Sequence, residues 1–231
     1  MKTIGLIGGM SWESTQTYYR LINERVNAAL GGLHSARILL CSVDFAEIEE
    51  CQAADAWDRA GVILADAGAR LERAGADFLL LCTNTMHKVA PAIARQLGIP
   101  LLHIADVTAE RLRAANITKV GLLGTKYTMT QDFYRDRLEH AGIEVVIPAP
   151  GDIEQVNAVI FKELCKGVVR DASRRKYLEV IDDLQGRGAQ GVILGCTEIG
   201  MLVGQEHVGL PVFDTTIIHA QQAADLAMGR G

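Results

Sequence analysis

Two short polar segments carry residue types suited to chemistry, and each directly follows an apolar run. One is Thr83-Asn84-Thr85 and the other is Cys196-Thr197-Glu198. A cysteine thiol has a pKa near ~8.5, and a helix N-terminus lowers it further, so Cys196 can move a proton at neutral pH. Thr83 offers only a hydroxyl. It donates or accepts a hydrogen bond and relays a proton through water, but it is a poor general base. Asn84, Thr85, Thr197 and Glu198 supply hydrogen-bond partners for a small ligand, with the amides of Asn84 and Thr197 placed to hold developing negative charge. The Gly8-Gly9 turn lets backbone amides approach a carboxylate or serves as plain turn geometry, and the Met10 that follows lines an entrance or packs.

The two polar segments are related by an internal duplication. Gly5-Leu6-Ile7-Gly8-Gly9 resembles Gly121-Leu122-Leu123-Gly124-Thr125. Residues 71–83 line up without gaps on residues 184–196, and Gly98-Ile99-Pro100-Leu101-Leu102 lines up on Gly209-Leu210-Pro211-Val212-Phe213. Three matches in one order, with the register drifting by only a few residues, are harder to attribute to the general likeness of βαβ units than one match would be. The duplication sets Thr83 against Cys196 and Cys82 against Gly195. Cys82 is the alternative to Thr83. It is disfavoured because neighbouring residues on a strand point to opposite faces and its counterpart is a glycine. Two halves related by a rough two-fold would bring the matched strand ends to opposite sides of one ligand. That arrangement suits chemistry on both faces of a planar carbanion.

The elements that must hold these residues follow from the pattern. Short continuous apolar runs at 4–7, 38–43, 78–82, 101–104, 120–123, 145–147, 192–194 and 212–213 read as strands buried on both faces. Segments between them, such as 56–73 and 173–185, carry helical periodicity. Alternating strands and helices imply parallel sheets with right-handed crossovers. The fold expected is α/β: two similar doubly wound lobes of about four strands each, with the active site in the cleft between them. The first lobe is expected to span 1–103 plus 212–231, and the second 104–211.

Composition narrows the function. Of 231 residues, 49% are hydrophobic and 22% charged, the balance of an ordinary globular chain. A formal net charge of −5 without a basic run argues against nucleic acid. No apolar stretch reaches the ~20 residues that span a bilayer, and the first residues read as a strand rather than a signal peptide. Five cysteines without a CxxC pair point to free thiols in a reducing, cytoplasmic compartment. No two histidines have ligand spacing beside a Cys, Asp or Glu, so no metal site is read. No lysine sits in a pyridoxal-type motif.

Four motifs in order resemble the aspartate/glutamate racemase family over essentially the whole chain. They are Gly5-Leu6-Ile7-Gly8-Gly9-Met10, Thr83-Asn84-Thr85-Met86-His87, Gly195-Cys196-Thr197-Glu198, and Pro211-Val212-Phe213-Asp214-Thr215-Thr216 with His219. The resemblance implies a homodimeric, cofactor-independent racemase of small amino acids with paired cysteines, one per lobe. Cys196 matches the second cysteine. Thr83 stands where the family has the first, so the site is expected to be lopsided. The resemblance also places the segment after Asp44 at the border of the site, with Gln52 as a substrate contact. Family aspartate racemases hold the distal carboxylate with an arginine in this segment, and residues 42–47 contain none; Lys126, Lys162 and Lys166 are possible substitutes.

His87 lies four residues beyond Thr83 and either orients its hydroxyl or a substrate carboxylate, or packs the helix start; His219 carries the same two readings. A single-thiol decarboxylase or isomerase, similar to arylmalonate decarboxylase, is the alternative enzyme. A two-lobed ligand sensor is the alternative outside catalysis, and it would need no thiol at the ligand.

Overall fold

The computed structural model describes residues 1–230. These form two compact units, one of Met1–Ile104 with the residues from His219 on, the other of Ala105–Ile218. In the first unit the order is β1 (Thr3–Gly8), α1 (Trp12–Leu30), β2 (Arg37–Ser42), α2 (Phe45–Ala53), α3 (Trp57–Arg73), β3 (Phe78–Leu81), a 3₁₀ turn over Thr85–Val89, and α4 (Ala90–Ala94). The strands are parallel in the order β2-β1-β3. A fourth strand, expected at 101–104, shrinks to one parallel bridge between Leu101 and Leu79. Pro100 has no N–H to extend the ladder, and Ile104 already begins the next helix.

Alternation along the strands sorts the side chains. Ile4, Leu6, Phe78, Leu80 and Cys82 pack with Tyr18, Ile22 and Val26 of α1. Ile7, Leu79 and Leu81 pack with Leu64, Ala67 and Leu71 of α3. Both faces of β1 and β3 are covered, which is why those runs read as unbroken apolar stretches, whereas β2, expected to be buried on both faces, is an edge strand with Leu40 50% exposed. Each fully buried large side chain contributes roughly 1.5–3 kcal/mol by leaving water.

The chain passes to the second unit along α5 (Ile104–Ala114) and continues through β4 (Lys119–Gly124), α6 (Lys126–Thr130), α7 (Asp132–His140), β5 (Glu144–Val146), α8 (Pro150–Lys162), α9 (Asp171–Gly186), β6 (Val192–Gly195) and β7 (Val212–Asp214). The order is β5-β4-β6-β7, again parallel. With Leu101 in the place of β7, both sheets have the same order, as the duplication requires. Leu123, Val192 and Leu194 share a core with Val156 and Ile160 of α8 and Tyr177, Val180, Ile181 and Leu184 of α9.

The boundary at 212 read from sequence is corrected. β7 pairs with β6 through Val192 and Val212, so it is the edge strand of the second sheet. Gly191 makes room for it: a Cβ there would lie 2.8 Å from the Phe213 ring. The chain returns to the first unit within α10 (Thr215–Ala227), between Ile218 and His219. Ala220, Ala223, Ala224 and Ala227 then complete the core on the α1 side of the first sheet.

His219 holds this return. Its Nε2 donates to the Leu102 carbonyl at 3.0 Å, so Nδ1 is bare and accepts from the Tyr18 hydroxyl at 2.9 Å. Burial pushes its pKa from the ordinary 6.5 down to about 4. The folded state therefore keeps His219 neutral in a range where the unfolded chain would protonate it. Stability is complete above pH ~6.5 and falls as pH drops from 6.5 towards 4, by on the order of 3 kcal/mol from this residue. Thermal melts at pH 7 and pH 4.5 are expected to show that loss, and His219→Gln is expected to reduce it, the buried His87 keeping a loss of the same sign.

Candidate active site

The strand end of the second unit carries the thiol. Cys196 follows β6 with extended backbone and caps the 3₁₀ turn Thr197–Met201. It shares parity with Val192 and Leu194, so its side chain packs against the same core and stays partly exposed. The thiol donates to Glu198 Oε2 at 3.0 Å. Burial first, and then the negative charge of Glu198, hold its pKa well above the ordinary value. The Glu198 amide acts in the opposite sense and is outweighed. The help that a helix N-terminus gives a thiolate is outweighed here. Cys196 rests as a thiol with a carboxylate on its proton. Thr197 and Glu198 are both partly exposed beside it. The Thr215 hydroxyl donates to the Leu194 carbonyl at 2.9 Å and braces β6 two residues before the thiol. Asp214 caps α10 by accepting from the amides of Thr216 and Ile217.

The strand end of the first unit carries Thr83, partly exposed, with Asn84 and Thr85 buried behind it. Cys82 is fully buried in the core under α1, and burial pushes its thiol far up. It has neither the exposure nor the acidity of a base, which removes it as the alternative to Thr83. The Cys82 carbonyl accepts from Ser14 Oγ at 2.9 Å, and the Thr83 carbonyl accepts from His87 Nδ1 at 2.8 Å. His87 thus reaches the backbone of Thr83 rather than its hydroxyl.

Met10 and Gln52 lie in this same unit, deeper than sequence suggested. Met10 is buried in the core with Ile48, Cys51 and Met86. Gln52 Nε2 donates to Met86 Sδ at 3.0 Å. The turn before them is tight. Gly9 has φ +92°, its amide donates to Thr15 Oγ1 at 2.8 Å, and a Cβ on it would lie 2.2 Å from the Val43 carbonyl oxygen. Ser14, Thr15 and Tyr18 were not read from sequence as part of this region. The signal was present in α1, where Ser14, Thr15 and Tyr18 put polar atoms on the face that buries Ile22 and Val26. Of the lysines considered for a distal carboxylate, Lys126 is paired with Glu154 at 2.5 Å, and Lys162 and Lys166 are exposed. Among the described residues, no group of three His, Cys, Asp or Glu side chains is arranged to hold a metal ion.

The model of the family described as Asp/Glu/hydantoin racemase matches residues 7–223. The chain belongs to this family. It is therefore a racemase-type isomerase, with the two parallel-sheet lobes of that fold. A candidate Asp/Glu racemase from Yersinia pestis has a structure similar at TM-score 0.94 and 55% identity, covering 99% of this chain and 100% of that one. An aspartate racemase homologue from Pyrococcus horikoshii OT3 matches at TM-score 0.88 and 36% identity, with the same coverage. The broad specificity amino-acid racemase RacX of Bacillus subtilis is 32% identical over 153 residues, 65% of each chain. Unliganded arylmalonate decarboxylase shares the fold alone, at 12% identity and TM-score 0.54. No helix among the described residues is long and apolar enough to cross a membrane.

Proposed function

We propose that the chain interconverts the enantiomers of aspartate, glutamate or a related small amino acid by taking and returning the α-proton. It acts without a cofactor, as a cytoplasmic homodimer. Cys196 is the main acid/base, and Thr83 serves the opposite face of the substrate. The observation that carries this reading is the contact of the Cys196 thiol with the Glu198 carboxylate at 3.0 Å. A thiol whose proton already points at a base becomes a thiolate by a short transfer, and in its protonated form it is an acid ready to return a proton. Family membership and the amino-acid racemase RacX among the relatives support an amino acid as substrate. The absence of arginine from residues 42–47 supports a broader choice than aspartate alone.

The reading is tested by screening L- and D-amino acids for α-proton exchange in D₂O. Exchange of at least one acidic or small amino acid, abolished by thiol alkylation, is expected. Evolution of carbon dioxide from an arylmalonate with no amino-acid exchange would replace this reading with the decarboxylase.

The role of Glu198 gives a separate expectation. Glu198→Gln keeps an acceptor for the S–H but cannot take the proton. Its kcat should fall by roughly 10- to 100-fold with KM little changed. A raised KM at normal kcat would make Glu198 a substrate-binding group instead.

A further inference from the structure

Thr83 is one residue with a fixed peptide plane on each side. The plane before it is held by Ser14 Oγ, which donates to the Cys82 carbonyl at 2.9 Å. The plane after it is held by His87 Nδ1, which donates to the Thr83 carbonyl at 2.8 Å. With both planes set, φ and ψ of Thr83 are set, and only its χ1 remains free. His87 is itself held at its far end, where the amide of Ile104 donates to Nε2 at 3.2 Å. Ile104 is the first residue of α5, so its amide is one that the helix leaves without an internal acceptor.

We propose that His87 is a positioning residue, a neutral imidazole gripped at both nitrogens that works with Ser14 to fix the backbone of Thr83 and so aim its hydroxyl at the substrate. This rests on the racemase reading given above. The tautomer follows from the partners. A carbonyl only accepts, so Nδ1 carries the hydrogen; an amide N–H only donates, so Nε2 is bare. A second proton would set two donors against each other at Ile104. The surroundings agree. His87 is 1% exposed, with the rings of His103 and His219 at 4.5 and 5.8 Å between centroids. Burial, and then those two histidines, hold its pKa well below the ordinary value. Neither amide side chain can do both tasks. Asparagine reaches the Thr83 carbonyl as a donor and loses Ile104. Glutamine reaches Ile104 as an acceptor and loses Thr83.

That difference is the test. The unmodified protein, His87→Asn, His87→Gln and Ser14→Ala are compared for deuterium wash-in, which needs only the Cys196 face, and for inversion, which also needs Thr83. His87→Gln and Ser14→Ala should slow inversion by about tenfold, the scale for a small misplacement of a reacting group, while wash-in changes by less than about threefold. His87→Asn should restore most of the inversion. Equal loss of inversion in the Asn and Gln variants, or a parallel loss of wash-in and inversion in both, would overturn the proposal and leave His87 a packing residue. Nitrogen NMR of the unmodified protein adds a check independent of folding in the variants. The Nδ1–H tautomer at pH 7 supports the proposal, and the Nε2–H form or an imidazolium overturns it. If no amino acid exchanges at all, the racemase reading fails by itself. The carbonyl carbon shift of Thr83 then still decides the clamp, which predicts a shift displaced in the Gln variant and kept in the Asn variant.

Discussion

Cys196→Ser is expected to lower kcat for α-proton exchange by at least ~10²-fold, the usual scale for removing a general acid/base. The substitution changes sulfur for oxygen at one partly exposed position and keeps a donor for Glu198 Oε2, so the contact at the strand end survives. What it removes is acidity. Even with its pKa raised by burial and by Glu198, a thiol gives up its proton far more readily than an alcohol does. Because the change leaves β6 and the core behind it intact, the melting temperature should stay near that of the unmodified protein. The loss is then assignable to chemistry. Turnover within a few-fold of normal in single-turnover and steady-state assays would remove Cys196 from the mechanism.

The second large effect belongs to the unmodified protein. Deuterium should enter one enantiomer at least ~10-fold faster than that enantiomer is inverted. The free-energy difference between enantiomers is zero in achiral solvent, so kcat/KM for the two directions of net conversion must be equal. A one-thiol enzyme cannot be one-way. On the proposed mechanism it is unequal in exchange: Cys196 would remove a proton and return a deuteron to the same face, while Thr83, a weak acid, would seldom deliver to the other. The family resemblance points to the L-enantiomer of aspartate or glutamate as the one exchanged. Thr83→Cys places a second thiol at the partly exposed position and should narrow the ratio. Thr83→Ala should widen it if the hydroxyl relays a proton. NMR exchange and chiral chromatography on the same samples measure both quantities. Equal wash-in for the two enantiomers in the unmodified protein would show that Thr83 does not set the asymmetry. A double cycle of Cys196→Ser with Thr83→Ala tests whether the two residues act on one substrate: additive losses would mean that they do not.

The duplication was the most informative feature of the sequence because it rests on strand parity. Leu79, Leu81 and Thr83 alternate just as Val192, Leu194 and Cys196 do. The observed cores follow that alternation, with Cys82 falling on the other face beside Phe78 and Leu80. What could not be read depends on contacts distant in sequence. The Ser14 hydroxyl meets the Cys82 carbonyl across 68 residues, and His219 meets Tyr18 across 201. No local period announces such pairs. The end of the second unit was misplaced for a similar reason: an apolar run such as Val212-Phe213 does not say which sheet it joins, and the pairing with β6 decides it. The state of the Cys196 thiol was also hidden. A neighbouring glutamate reads from sequence as one more polar residue, but burial of the sulfur, with that carboxylate turned onto it, pushes the thiol pKa up.

Helix α10 begins in one unit and ends in the other, and this has a consequence for synthesis. A nascent chain emerging from the ribosome has every strand of its first sheet by Leu81, yet the alanines that cover Ile4, Leu6, Phe78, Leu80 and Cys82 arrive only at positions 220–227. For the whole time that the second unit is being made, α1 alone shields that face. The first unit made is therefore the last one sealed. Vectorial folding here leaves a half-covered apolar sheet as the species that chaperones would meet.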